Sequence, residues 1–226
     1  MSHQLPLRMA LAGAPTFEHF EAGANGAALA ALRGPERLIY LWGAPGTGKS
    51  HLLQAACAEA ANAQASSAYL PLHEPALAPA MAAGLESIAL VCVDDLDAVA
   101  GQPAWEAALF GLYNEVSAGG GRLVFAAAAP PQALPLGLAD LRSRLSACAV
   151  FHLEPLDDAD KVHALRRQGA RRGLDVSEEV AWFLLRHWRR DLPALCALLD
   201  RLDRASLAAQ RRVTIPFVRG VIAARD

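Results

Sequence analysis

The stretch WGAPGTGKSHLL, at positions 42–53, constrains the fold of this chain more than any other. It contains the pattern Gly-x-x-x-x-Gly-Lys-Ser, in which glycines allow backbone N–H groups to close on phosphate oxygens and lysine adds a point charge. The serine hydroxyl is a ligand for Mg²⁺, and the loop lies between a buried strand and a helix whose positive end faces the phosphate. We therefore predict a nucleotide site for ADP or ATP built from Gly43, Ala44, Pro45, Gly46, Thr47, Gly48, Lys49, Ser50 and His51.

Short apolar runs alternate with amphipathic segments on both sides of this loop. The predicted strands are RLIYLW (37–42), SAYLPL (67–72), SIALVCVDD (87–95), RLVFAAA (122–128) and CAVFHL (148–153). Helices are predicted over 50–63 and over 103–121, where Pro103 suits a first turn and glycines end the pattern. Strands that alternate with helices predict an α/β fold with a doubly wound parallel sheet.

After Pro155 the pattern changes to helices only. Asp157 with Asp160, Ser177, Asp191 and Thr214 are typical residues for the starts of four such helices. We expect an N-terminal arm at 1–16, an α/β nucleotide-binding domain at 17–155 and a small all-helical lid at 156–226.

Composition narrows the function classes. A hydrophobic content of 54% with 19% charged residues indicates a folded globular chain, and no apolar run reaches the ~18 residues of a membrane span. The N-terminus also lacks the pattern of a secretory signal, so we expect a cytoplasmic protein with no membrane contact. The net charge of −2 predicts that any DNA contact is weak and indirect. The widely spaced Cys57, Cys92, Cys148 and Cys196 are expected to be buried reduced thiols.

A second element of the site follows the predicted strand LVCVDD. Asp94 would end this strand, at the edge where open α/β sheets bind ligands, and we expect it to hold Mg²⁺ together with Ser50. Asp95 follows and is predicted to orient an attacking water, although a structural role is an open alternative.

These motifs together resemble the AAA+ ATPases, and among them the DnaA family. VDDLDAVAG (93–101) and LRSRL (141–145) look like that family's metal-binding and arginine-bearing segments. QLPLRM (4–9), LYNEV (112–116), LGLADLRSRL (136–145) and LDRLDRASLAAQRRVTIPFV (199–218) are similar, in the same order, to the Hda-type regulatory inactivators of DnaA. The resemblance stops before the helix-turn-helix domain of DnaA, so independent recognition of replication-origin boxes is not expected.

Two departures from the AAA+ pattern bear on turnover. The fourth strand of such proteins usually ends in a polar sensor, but residues 126–129 are all alanine. The lid position that normally carries a sensor arginine is occupied by Pro193, with Arg190 as a nearby substitute. Without these groups the γ-phosphoryl charge is poorly stabilised, so we expect nucleotide binding without appreciable independent turnover.

The resemblance implies partners and a mechanism. Arg144 would act in trans as an arginine finger on ATP bound to DnaA, with Arg142 as the rival two residues earlier. The arm would insert Gln4, Leu5, Leu7 and Met9 into the cleft of the DNA polymerase III sliding clamp (its beta subunit), and a homo-oligomer is also compatible with the family. The chain is thus interpreted as a negative regulator of replication initiation that stimulates hydrolysis of DnaA-bound ATP.

Two other classes stay open at this point. One is an autonomous ATPase or helicase loader of the DnaC/IstB type, which the missing sensors disfavour. The other is a DNA-binding regulator that uses the arginine clusters RRQGARRG (166–173) and RHWRR (186–190). Such clusters on amphipathic helices are more often solvated faces.

Overall fold

Alternation of strands and helices in the first two thirds of the chain builds one parallel sheet. The computed structural model describes residues 15–224, and within them the chain divides into two compact units between Glu154 and Pro155. The strands of the first unit are β1 (Leu38–Trp42), β2 (Ser67–Pro71), β3 (Leu90–Asp94), β4 (Arg122–Ala127) and β5 (Ala149–His152). Its helices are α1 (Gly26–Arg33), α2 (Lys49–Asn62), α3 (Pro103–Gly119) and α4 (Ala139–Ser146), and α1 was not foreseen from the sequence.

The sheet has the order β2-β3-β4-β1-β5, with every neighbouring pair parallel. All five carboxyl ends therefore lie at one edge. Successive side chains point to opposite faces, so β1 sends Tyr40 to one hydrophobic cluster, with α3 and α4, and Leu41 to the other, with α1 and α2. The predicted α/β class with a doubly wound parallel sheet is confirmed.

Glu154, the last residue of the α/β unit, is held by the buried side chain of Asn25, which no sequence motif indicates. Asn25 donates from Nδ2 to the Glu154 carbonyl at 2.9 Å and accepts from the Glu154 N–H at 2.8 Å. This reciprocal amide pair ties the end of the sheet region to the segment before α1, one residue before the boundary between the units.

The second unit contains only helices in its described part: α5 (Asp158–Arg171), α6 (Glu178–His187), α7 (Leu192–Ala209) and α8 (Ile215–Ala223). Each begins as the sequence predicts, because Asp157, Ser177, Asp191 and Thr214 accept a hydrogen bond from the backbone N–H three residues later. Leu195, Leu199 and Leu202 of α7 lie in a separate apolar core.

Two further predictions concern the state of the cysteines and the lack of membrane-spanning helices. All four cysteines are free thiols; Cys92 and Cys148 are buried, whereas Cys57 and Cys196 are half-buried. No helix within residues 15–224 is long and apolar enough to cross a bilayer.

Candidate functional site

The loop between β1 and α2 has the geometry that its glycines predict. Gly46 and Gly48 adopt φ values of +83° and +93°, a left-handed conformation that residues with a Cβ rarely adopt. Gly43 is required for a different reason, because a Cβ there would lie 2.4 Å from the backbone oxygen of Leu153. The loop is closed internally by Thr47, whose hydroxyl donates to the Ala44 carbonyl at 2.9 Å.

Lys49 begins α2 and is folded over this loop. Its ammonium donates to the carbonyls of Gly43 at 2.6 Å and Ala44 at 3.1 Å, and the residue is only 9% exposed. Burial lowers the pKa of the Lys49 ammonium, while the carboxylates of Asp94, Asp97 and Asp95 oppose that shift. The Lys49 ammonium is thus bonded to two loop carbonyls and lies in the field of three carboxylates, a suitable position for a phosphate counter-charge.

Asp94 ends β3 as predicted and is fully buried. Its Oδ1 accepts from the N–H of Asp95 at 3.0 Å, and its Oδ2 accepts from the Tyr69 hydroxyl at 2.7 Å. Burial and this hydrogen bond raise the pKa of Tyr69, so the hydroxyl stays protonated as a donor. The nearby Ser50 side chain has a smaller, opposite effect on the pKa of Tyr69. Of the two predicted metal ligands, Asp94 is hydrogen-bonded to Tyr69 and Ser50 lies near it.

Tyr69 was missed at the sequence level. It lies on β2, where it pairs in register with Cys92 of β3, and it also receives a hydrogen bond from Gln54 Nε2 at 3.3 Å. Carboxylate and hydroxyl oxygens are the ligands that Mg²⁺ prefers, so the donor set of Ser50 and Asp94 fits this ion. Tyr69 would orient that donor set from behind.

Asp95, the residue expected to orient a water, has an unusual backbone and a partner of its own. Its φ is +55°, which is uncommon for a residue with a side chain, and the left-handed backbone turns the chain sharply after β3. Its Oδ2 lies 2.5 Å from Nδ1 of His73, an exposed residue that follows β2. No sequence motif indicates a role for His73. In this arrangement the carboxylate is held by the imidazole.

The end of β4 lies between the phosphate loop and β3. Ala127 pairs with Trp42 of β1, and the Ala127 carbonyl accepts from the N–H of Gly43 at 3.3 Å. The strand end is tied by its backbone alone: the Ala128 N–H donates to Asp97 Oδ1 at 2.8 Å. The only side chains at residues 126–129 are methyl groups, so the usual sensor position offers no side-chain donor.

Of the two phenylalanines before α1, one is buried in the core and the other lies against the phosphate loop. Phe17 is buried in the cluster under α1 and α2. Phe20 lies against the loop instead, where a Cβ on Gly48 would come within 2.6 Å of its ring, and it also contacts the His51 ring at a centroid distance of 5.9 Å. His51 was expected in the nucleotide site, and the structure places its Nε2 3.0 Å from the Thr16 carbonyl.

The two arginines of α4 differ in environment. Arg142 is turned inward, donates to the Leu136 carbonyl, and has a buried Nε without a hydrogen-bond partner among residues 15–224. Arg144 is exposed in the last turn, with its guanidinium carbon 5.9 Å from the centroid of the Tyr113 ring. The guanidinium of Arg144 is therefore accessible to another molecule, whereas that of Arg142 is engaged within the unit.

The remaining predicted residues fall elsewhere. Gln4, Leu5, Leu7 and Met9 lie outside the described residues. Pro193 is in the first turn of α7, and Arg190 forms an ion pair with Asp158 inside the helical unit.

Many arginines of the helical unit make contacts within that unit. Arg166 pairs with Glu178, Arg172 with Asp200 and Arg189 with Asp191. Three more guanidinium groups lie over aromatic rings, namely Arg186 on Trp182, Arg201 on Trp188 and Arg219 on Phe183. The three ion pairs offset part of the positive charge that the helical unit could offer to a phosphate backbone.

Both units are similar to known proteins: the helical unit matches a family model, and the chain as a whole matches solved structures. Residues 158–222 match the family model described as the Hda lid domain. Domain III of the replication initiation protein DnaA from Thermotoga maritima superimposes with a TM-score of 0.77 at 22% identity, over 92% of this chain and 95% of that chain. DnaA from Aquifex aeolicus, in its AMPPCP-bound structure, gives 0.69 at 22% identity, over 82% of this chain and 64% of that one.

A third similar structure belongs to a protein other than DnaA. The Holliday junction branch migration motor RuvB from Thermotoga maritima gives a TM-score of 0.64 at 17% identity, over 87% of this chain and 64% of that chain. This chain thus spans less than two thirds of both longer proteins. These similarities show the AAA+ fold of a parallel sheet followed by a helical lid.

Proposed function

We propose that this chain, an AAA+ protein of the Hda and DnaA family, holds an adenine nucleotide at its phosphate loop and stimulates hydrolysis of ATP bound to DnaA. Its activity would be that of a negative regulator of replication initiation, acting in the cytoplasm. The observation that carries this proposal is the contrast within α4, where Arg142 is engaged inward and Arg144 presents an exposed guanidinium.

The chain's own nucleotide would serve as a structural ligand. Lys49 and the N–H groups of the loop would bind the phosphates, and Ser50 with Asp94 would hold Mg²⁺, which screens phosphate charge when bound. The alanines at 126–129 supply no polar side chain toward a γ-phosphate, and Asp95 is held by His73. We therefore expect slow turnover at this site and ADP as the nucleotide that accumulates.

The catalytic contribution would be made at the partner's site. An arginine finger places positive charge next to a departing γ-phosphoryl group and raises the rate by ~10³–10⁵-fold. Arg144 would supply that charge to ATP on DnaA without needing a complete site of its own. Arg142, the rival, would have to break its bond to the Leu136 carbonyl before it could reach outward.

Steady-state ATP hydrolysis in three mixtures tests this function. We expect slow hydrolysis by the chain alone, little change with ATP-loaded DnaA, and strong acceleration when the sliding clamp loaded on DNA is added. Equal turnover by the chain alone would instead favour the autonomous ATPase or helicase-loader alternative. Tight DNA binding without DnaA would favour the DNA-binding regulator, which the paired lid arginines oppose.

The clamp partner has its own test. In QLPLRM, an extended backbone would place Leu5, Leu7 and Met9 on one side of the arm, where they could fill an apolar cleft while Gln4 makes a polar contact. We expect a chain lacking residues 1–10 to lose capture of the clamp while still binding ADP. Capture at full strength by the truncated chain would remove the clamp from this proposal.

A further inference from the structure

A buried carboxylate on α3 holds two loops that are far apart in sequence. Glu106 is 2% exposed, and its Oε1 accepts from the N–H groups of Gly101 at 2.7 Å and Gly137 at 3.1 Å. Its Oε2 accepts from the N–H of Leu138 at 2.6 Å. A buried carboxylate with three backbone donors is a strong, specific anchor, because each donor would otherwise be left unsatisfied.

One of the two loops leads directly into the helix that carries Arg144. Leu138 is the N-cap residue of α4, and its own apolar side chain gives no capping hydrogen bond. Glu106, on α3, instead accepts from the N–H of the N-cap residue itself, and its negative charge lies near the positive end of the helix. The start of α4 is thus set by a residue outside that helix.

The other loop leads back to the nucleotide site. Gly101 closes the segment that follows β3 and that contains Asp95 and Asp97. Asp97 accepts from the Ala128 N–H at the end of β4, next to the phosphate loop. Glu106 therefore connects the segment that follows β3 with α4, the helix that carries Arg144.

The position of Arg144 depends on two supports of α4, the anchor at its first turn and the buried side chains of Leu141 and Leu145. Six residues separate it from Leu138, which corresponds to about 9 Å along a helix at about 1.5 Å per residue. Leu141 and Leu145 hold the buried side of α4, so loss of the anchor at Leu138 would loosen or shift the first turn rather than rotate the whole helix. Arg144 is exposed, and its contact with the Tyr113 ring at 5.9 Å is too long to set the helix direction by itself.

We propose that Glu106 is the positioning residue for Arg144: by fixing the first residue of α4, it sets where the guanidinium points toward the partner's nucleotide. This inference rests on the proposed function, because it assumes that Arg144 acts on ATP bound to another molecule.

Glu106→Gln tests the inference with little change in size. The glutamine oxygen still accepts from Gly101 and Gly137, but its NH₂ group cannot accept from Leu138. We expect faster hydrogen exchange at the start of α4, and maximal stimulation of DnaA-bound ATP hydrolysis about 10–100-fold lower. The half-saturating concentration of the chain and its own ADP affinity should be unchanged. Glu115→Gln, at an exposed position of the same helix, is the matched control.

A double variant separates positioning from a general structural effect. If Glu106 acts through Arg144, then Glu106→Gln combined with Arg144→Ala should stimulate no less than Arg144→Ala alone. Full stimulation by Glu106→Gln, unchanged exchange at residues 134–141, or loss of ADP binding and cooperative melting would each overturn the positioning role. An unmutated chain that does not stimulate DnaA at all would overturn the proposed function itself, which is a distinguishable result.

Discussion

Replacing Gly48 by alanine tests the geometry of the phosphate loop and its contact with Phe20. Gly48 has a φ of +93°, which costs a residue with a Cβ about 1–2 kcal/mol. The new Cβ would also lie 2.6 Å from the Phe20 ring, and such overpacking costs about 1–3 kcal/mol. We therefore expect Gly48→Ala to lower the free energy of unfolding of the α/β unit by about 2–5 kcal/mol.

Gly84 offers a control for the first of these two contributions. Its φ is +86°, but no atom lies within 4 Å of an added Cβ, so Gly84→Ala should cost only the backbone strain. In a Phe20→Ala background the ring is gone, and the cost of Gly48→Ala should fall to about that of Gly84→Ala, about 1–2 kcal/mol. The coupling between positions 20 and 48 should thus be about 1–3 kcal/mol.

Urea unfolding measured by fluorescence gives these free energies. Two of the four tryptophans, Trp182 and Trp188, are in the helical unit, and replacing both by phenylalanine leaves Trp42 and Trp105 to report the α/β unit. Trp42 directly precedes the loop and is stacked on His152 at 3.9 Å. If Gly48→Ala costs no more than Gly84→Ala, with Phe20 present or absent, then the close contact between loop and ring is refuted.

Three further predictions concern the site and its supports. Lys49→Ala should weaken ADP affinity by about 10–150-fold through loss of a charged hydrogen bond, measured by calorimetry with Lys161→Ala as the control; unchanged affinity would refute the site. Tyr69→Phe should reduce the Mg²⁺-dependent gain in nucleotide affinity about 10–100-fold through loosening of Asp94, while affinity in EDTA should not change; equal magnesium titrations would contradict this. Burial opposes ionisation of Glu106, but its backbone donors and Arg142 outweigh burial and lower its pKa below the ordinary value of 4.5. The stability that Glu106 adds over Glu106→Gln should therefore be constant from neutral pH to about 5 and be lost as pH falls below 4.5, whereas parallel acid-unfolding curves would exclude it.

Features that depend on neighbouring residues could be predicted from the sequence. The phosphate loop is a local pattern of glycines, and the lid helices begin at Asp157, Ser177 and Asp191 because a cap needs only an N–H three residues away. The strands followed from short apolar runs, and β3, apolar on both faces, is buried at every position.

The contacts that tune the site could not be predicted, because their partners are distant in sequence. Tyr69 and Asp94 are 25 residues apart, His73 and Asp95 are 22 apart, and Glu106 is 31 residues from Gly137. Nothing in a single sequence indicates which polar residue of α3 faces which loop. Which of these residues meet is determined by the order and register of the strands, and a single sequence does not specify either.

The choice between the two arginines of α4 shows the same limit in a local element. Leu141 and Leu145 form the buried side of the helix. Arg142 follows the first leucine and Arg144 precedes the second, so at about 100° per residue both flank the buried side at similar angles. Helical periodicity therefore cannot tell which of the two arginines is available to a partner. The hydrogen bond from Arg142 to the Leu136 carbonyl, visible only in the structure, makes that distinction.

Single-turnover hydrolysis of ATP preloaded on DnaA, in the presence of DNA-loaded clamp, tests the central claim most directly. Arg144→Ala should bind ADP and the clamp like the unmutated chain, because Arg144 is exposed and belongs neither to the phosphate loop nor to the proposed clamp motif at residues 4–9. It should nevertheless lose the acceleration, a loss of ~10³-fold or more, while Ser143→Ala on the same helix keeps it. If Arg144→Ala accelerates hydrolysis as well as the unmutated chain does, then Arg144 is not the finger and the proposed mechanism is wrong.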